Sequence, residues 1–119
     1  MKVLVVEDSK FQRELLAKVF QELGFEVITA EDGRRGVEEY EDENPDVIFT
    51  DLLMPELDGI GMIKELKHLG CTLPIYVLTA DIQAPIKQEC LDLGVQDFFN
   101  KPITKQFKER MNSLFKKAS

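Results

Sequence analysis

Glu7-Asp8, Asp51, Thr79 and Lys101 stand at the ends of four short apolar segments, VLVV, DVIFT, IYVLT and DFFN. If those segments run side by side in a parallel sheet, their carboxyl ends meet at one edge, where open α/β sheets place their ligands. Three carboxylates, one hydroxyl and one amine gathered there suit a divalent metal and a phosphoryl group. A carboxylate such as Asp51 can attack phosphorus to give an acyl phosphate, and the spread negative charge of the transferring group calls for cations around it. Magnesium held by hard oxygen ligands is the usual solution. Asp8 and Asp51 can each supply one oxygen and the backbone carbonyl of Leu53 another, while Glu7, one carbon longer, suits a metal-bound water. Crowded acids raise one another's pKa without such an ion. Lys101 can meet a phosphoryl oxygen as a compact point charge, and Thr79 can donate its hydroxyl to a further oxygen. Singly, each residue is an ordinary turn acid or solvated lysine; the combination carries the argument.

The elements that must position these groups follow from hydrophobic spacing. Strands are predicted at about residues 2–7, 25–30, 46–51, 73–79 and 96–99, four of them nearly continuous in apolar character, as strands covered on both faces are. Between them run helical periods: Leu15, Val19 and Leu23; Ile60, Ile63 and Leu66; Ile86, Cys90 and Leu93; Phe107, Met111 and Leu114. Ser9 and Asp58 are placed to cap helices, Gly24, Gly70 and Gly94 to end them, and Pro85 to sit in a first turn. A second helix over roughly 33–43 rests on Val37 and Tyr40 and carries acid at its carboxyl end, against its dipole, which predicts fraying there. Strict alternation gives an α/β fold, a doubly wound (βα)5 unit with a parallel five-stranded sheet. Residues 1–119 read as one domain.

Composition narrows the function classes. The chain is 44% apolar and 31% charged, as globular proteins are, and its net charge of −7 with scattered basic residues argues against nucleic acid as a partner. No leader-like segment opens it and no apolar run could cross a bilayer, which predicts no membrane insertion and a cytoplasmic location. Cys71 and Cys90 form no CxxC and are expected as small buried hydrophobes in a reducing compartment.

Glu7-Asp8, Asp51 within DLLMPELDG, Thr79-Ala80 and Lys101-Pro102, in that order and spacing, resemble the receiver domain of two-component response regulators, of the single-domain, CheY-like kind. The resemblance covers the full chain. It implies strand order 2-1-3-4-5, transfer of a phosphoryl group to Asp51 from a sensor histidine kinase or phosphotransfer protein, Mg2+ as cofactor, slow self-hydrolysis and a cis Lys101–Pro102 bond. It also implies a switch in which Thr79 moves toward the phosphoryl group and Phe98 turns inward, altering the face of helix 4, strand 5 and helix 5 that meets a separate downstream target. Such a protein is a signalling switch and not an enzyme, beyond assisting its own phosphorylation and dephosphorylation. Three other readings fit the residues less well. A pseudo-receiver would bind partners without phosphate, against which the intact acceptor, threonine and lysine argue. An aspartate-nucleophile phosphohydrolase would need a second Asp where this chain has Leu53. A flavin site would need a phosphate-cradling loop where Glu7-Asp8 would repel the phosphate.

The chain also departs from the pattern. Glu7 stands where the family often has Asp. Phe98 lacks a hydroxyl, so the switch must work by packing. Asp81 could position or repel the hydrolytic water. His68, near the end of the third helix, reads as a surface residue that suits the helix dipole. Phe11 either packs beside the acidic pair or faces a partner, and Lys87 with Leu91 hints at a binding patch on the fourth helix. Leu53, two residues past Asp51, cannot orient water as an amide could. Leu53→Asn is therefore expected to speed decay of the phosphorylated chain, followed by intact mass; an unchanged decay rate would remove Leu53 from the account.

Overall fold

The computed structural model describes residues 1–54, 57–80 and 83–115. Ten elements alternate along the chain: β1 (Lys2–Val6), α1 (Lys10–Glu22), β2 (Glu26–Ala30), α2 (Gly33–Glu43), β3 (Val47–Thr50), α3 (Gly59–His68), β4 (Ile75–Thr79), α4 (Ala84–Asp92), β5 (Asp97–Asn100) and α5 (Lys105–Leu114). All strand pairs are parallel and the order is β2-β1-β3-β4-β5, as the motif resemblance implied. The central strands β1, β3 and β4 are the apolar ones because both of their faces are covered. The edge strand β2 is only partly buried, with Glu26 and Thr29 in solvent.

Side chains that alternate along each strand build two cores. Leu4, Val6, Ile48, Ile75 and Val77 face α2, α3 and α4, where they meet Met62, Ile63, Leu66 and Cys90. Val3, Val5, Phe49, Leu78 and Phe99 face the opposite way, toward Leu16, Phe20, Phe107 and Met111. Aromatic rings dominate the second core: Phe49 stacks on Tyr76 at 4.8 Å and lies 4.8 Å from Phe20 in a tilted pair. Both cysteines are buried thiols in the first core.

Several local expectations need correction. The buried stripe of α1 is Leu16, Val19 and Phe20 rather than Leu15, Val19 and Leu23, because the aromatic core recruits Phe20. Leu114 is 46% exposed, and Phe115 packs against the aromatic cluster in its place. Ile86 is 38% exposed, leaving Cys90 as the one fully buried side chain among the described residues of α4. The acidic end of α2 keeps its helical form through Glu43. Asn44 closes it in the left-handed conformation at φ 49°, and the Lys2 ammonium donates to the Glu43 carbonyl at 2.8 Å, supplying the cation that end lacks in sequence. The expected caps Ser9 and Asp58 accept from the backbone N–H groups of Gln12 and Gly61, and Gly24 ends the α1 turn at φ +90°.

One close approach matters for the site. The Gly59 N–H donates to the Leu52 carbonyl at 2.8 Å, drawing the start of α3 onto the end of β3. A Cβ at Gly59 would lie 2.2 Å from the Asp51 carbonyl oxygen and 2.8 Å from the Leu52 Cα, both backbone atoms that cannot step aside. Gly59→Ala should therefore cost about 3 kcal/mol of stability in urea unfolding. Gly61→Ala, whose Cβ would meet the flexible tip of Leu57 at 2.7 Å and the Asp58 side-chain oxygen less closely at 3.2 Å, should stay within about 1 kcal/mol of the native chain, helped by alanine's helix propensity. Equal losses in the two variants would contradict the packing account.

Candidate functional site

Strand register brings the site together. Val6 pairs with Ala30 on one side and Thr50 on the other, so Glu7 and Asp51 leave their strands at the same level. Their backbones are tied as well: the Asp51 N–H donates to the Val6 carbonyl at 3.0 Å, and the Glu7 N–H to the Ala30 carbonyl at 3.0 Å. Across the sheet Thr79 pairs with Asn100, and the Lys101 N–H donates to the Thr79 carbonyl at 2.9 Å. The four chain positions picked out from sequence therefore lie along one edge of one sheet.

Lys101 joins three of the strands. Its ammonium donates to Asp51 Oδ2 at 2.8 Å and also to Glu7 Oε1, with the Lys101 and Glu7 side chains 15% and 2% exposed. Glu7 Oε2 accepts from the Ser9 N–H at 3.2 Å, and Asp51 Oδ1 from the Leu52 N–H at 2.6 Å, which fixes both carboxylates on the turns that follow their strands. Burial raises the Glu7 pKa above the ordinary carboxylate value; the Lys101 ammonium opposes that rise, whereas Asp8 and Asp51 add to it. Burial of Lys101 disfavours its charge, but the hydrogen bonds it donates to Asp51 and Glu7 outweigh this and its pKa is raised. Sequence reasoning reserved Lys101 for a phosphoryl oxygen. Without a phosphoryl group, the buried ammonium is held by the two acids.

Asp8 is exposed beside them, and one oxygen from each of Glu7, Asp8 and Asp51 lies within 4.8 Å of the others. Hard carboxylate oxygens at that spacing, one of them on a buried and repelled acid, fit a divalent cation of the magnesium or calcium kind. Leu53 is 78% exposed and borders a groove of about 310 Å³ shared with Leu52, Asp58, Ile60, Thr79, Gln83 and Ile86. Thr79 is buried at the bottom of the β4 end.

Phe98 is half-buried against the first core, and the Lys87 ammonium sits 5.4 Å from its ring centroid. That contact links α4 to β5 and was invisible in sequence, where Lys87 is placed with Leu91 on a helix face and nothing pairs it with Phe98. Arg13 was missed for a similar reason: its guanidinium donates to the Glu7 carbonyl at 2.8 Å and the Asp8 carbonyl at 3.4 Å, and nothing in a helix pattern marks such a reach. Phe11 is 72% exposed, so it does not pack beside the acidic pair, and His68 lies at the surface as expected. The Lys101–Pro102 bond is cis. Asp81 and Lys116–Ser119 lie outside the described residues.

Comparison with known proteins agrees with this geometry. A family profile described as "response regulator receiver domain" matches residues 3–111. The chain is 34% identical to the chemotaxis protein CheY of Bacillus subtilis over 86% of each sequence. It is 36% identical to part of the sensor histidine kinase RcsC of Escherichia coli, covering 87% of this chain but 11% of RcsC, so it spans a small part of that longer relative. Among solved structures, a CheX–CheY–BeF3–Mg2+ complex from Borrelia burgdorferi is similar with a TM-score of 0.87 and 30% identity, covering 98% of this chain and 90% of that one.

Removing the ammonium would leave Glu7 buried and uncompensated. Lys101→Ala should cost about 3 kcal/mol near neutral pH. Glu7 already binds its proton more tightly when folded than unfolded, and the substitution widens that gap. Stability of the variant should therefore fall as pH rises above the ordinary carboxylate range, and the deficit against the native chain should shrink as pH is lowered into that range. Urea unfolding at several pH values checks this; a pH-independent deficit would rule out Glu7 as its source.

Proposed function

This chain belongs to the response regulator receiver domain family, the phosphorylation-dependent switches of two-component signalling, and from that premise we propose that Asp51 accepts the phosphoryl group. The observation that carries the reading is the convergence of Asp51, Glu7 and Asp8 within 4.8 Å, with the Lys101 ammonium between the first two. The donor is a phosphohistidine on a sensor kinase or phosphotransfer protein. An Asp51 oxygen forms the new P–O bond as the P–N bond breaks, and the imidazole leaves with a proton taken up at its nitrogen. Asp51 Oδ1 is held by the fixed Leu52 N–H, whereas Oδ2 is held by the Lys101 ammonium, a side chain that can turn to the phosphoryl group, so Oδ2 is the nucleophile.

Glu7, Asp8, Asp51 and the backbone carbonyl of Leu53 are the groups that would hold Mg2+, with Glu7 acting through a water. When bound, that ion offsets the crowded acids and the charge of the arriving group. The magnesium and beryllium fluoride in the similar CheX–CheY complex support this reading. Lys101, released in part from the acids once their charge is offset, turns to a phosphoryl oxygen, and Thr79 donates its hydroxyl to another. Movement of Thr79 opens space that Phe98 can enter, so the phosphoryl group biases a two-state element built from Thr79, Phe98 and α4. The face made by α4, β5 and α5 is then the surface that meets a separate target. Leu91, 44% exposed, lies on the same side of α4 as Lys87, toward that face.

No described helix is long and apolar enough to cross a membrane. The reading is of a cytoplasmic switch that acts by binding a partner. The test is intact mass after incubation with acetyl phosphate. One phosphoryl group should add to the native chain in magnesium, and none should add without the metal or in Asp51→Ala. A folded native chain that takes no phosphoryl group from acetyl phosphate or from a cognate kinase would instead be a phosphate-independent binding module.

A further inference from the structure

The β1 ladder ends at Val6 and the α1 hydrogen bonds begin with the Ser9 carbonyl, which accepts from the Arg13 N–H at 2.8 Å. The carbonyls of Glu7 and Asp8 fall in the gap between strand and helix. They also belong to the two residues whose side chains must be aimed at the metal. Helical side chains lean back toward the amino terminus, and Arg13, in the first turn of α1, leans onto that gap. Its Nη1 donates to the Glu7 carbonyl at 2.8 Å and to the Asp8 carbonyl at 3.4 Å. A cation in a first turn opposes the helix dipole, and α1 has no acid in its first turn to offset it. The position is therefore unfavourable for helix formation alone.

We infer that Arg13 is a positioning residue for the acidic pair: it holds the Glu7–Asp8 turn in the shape that lets both carboxylates reach one cation with Asp51. The Glu7 side chain is anchored from its other end by Ser9 and Lys101, whereas Asp8 is exposed and its carboxylate meets that of Glu7 with no cation or backbone N–H among the described residues to hold it. Arg13 thus acts on Asp8 most. This inference rests on the metal-assisted reading of the site and adds a residue to it.

Electrostatics and positioning predict opposite signs, which makes the inference testable. Removing a positive charge near three acids should tighten cation binding if charge alone matters. Loss of the turn's support should weaken it. Titration of the native chain, Arg13→Ala and Arg13→Lys with MgCl2 by calorimetry, with circular dichroism and the thermal midpoint recorded for each, separates the two. Arg13→Ala should bind Mg2+ about ten-fold more weakly, the loss typical when a group that orients a metal ligand is removed. Arg13→Lys should recover part of that affinity. Labelling of Arg13→Ala by acetyl phosphate should be slow at low magnesium and approach the native rate at saturation. If Arg13→Ala does not fold, Arg13→Gln, which keeps the stem and helix propensity, reports the same quantities. A folded variant with unchanged or tighter Mg2+ binding, or with labelling that stays slow at saturating metal, overturns the inference. A native chain that binds no Mg2+ overturns the metal reading and this inference together, and is distinguishable because it needs no variant.

Discussion

Glu7 is a carboxylate with 1% of its surface exposed, and a charge so buried is tolerable only with a partner. Lys101 is that partner, and it holds Asp51 with the same ammonium. The pairing ties the ends of β1 and β3 to the residue that follows β5, across a sheet in which β4 lies between β3 and β5. The geometry of the site depends on that cross-link. It presets two of the three acids near one another without a metal, and it stores a cation where a phosphoryl group would need one. The same arrangement makes the site responsive, because a new charge at Asp51 changes what Lys101 must neutralise.

Around this contact the rest of the fold acts as support. Parallel register sets the strand ends level, and the Gly59 N–H pulls α3 against the end of β3 where a larger residue would collide. The two cores differ in character. The α1–α5 side is a stack of aromatic rings with little room to shift, built on Phe20, Phe49, Tyr76 and Phe99. The other side is aliphatic, and it carries the thinly anchored α4 and half-buried Phe98. An element that buries one side chain fully costs less to move than one with a full buried stripe, so the two faces of the sheet anchor their helices unequally. The Lys87–Phe98 contact lies on this more lightly anchored side.

Strand and helix order were legible because apolar spacing switches cleanly between two periods, and because Ser9, Asp58 and Gly24 carry their cap chemistry in their own side chains or lack of one. Stripes were read less well. Leu15 and Leu114 have the right spacing to face inward, yet the core took Phe20 and Phe115, since the larger rings bury more area. Periodicity locates a face to within a residue, and packing decides between neighbours.

The sequence by itself determined the inventory of the site: which acids, which hydroxyl, which amine, and that they stand at strand ends. These are properties of residue type and local order, and a motif carries them without a fold. Only the tertiary structure decided how they are spent. That Lys101 bridges Glu7 and Asp51, that Lys87 covers Phe98, and that Arg13 grips the carbonyls of the acidic turn are contacts made by long, flexible side chains. Their reach spans several residues in any direction, so spacing along the chain does not constrain their partners; the desolvation and unmet hydrogen bonds of the folded site do.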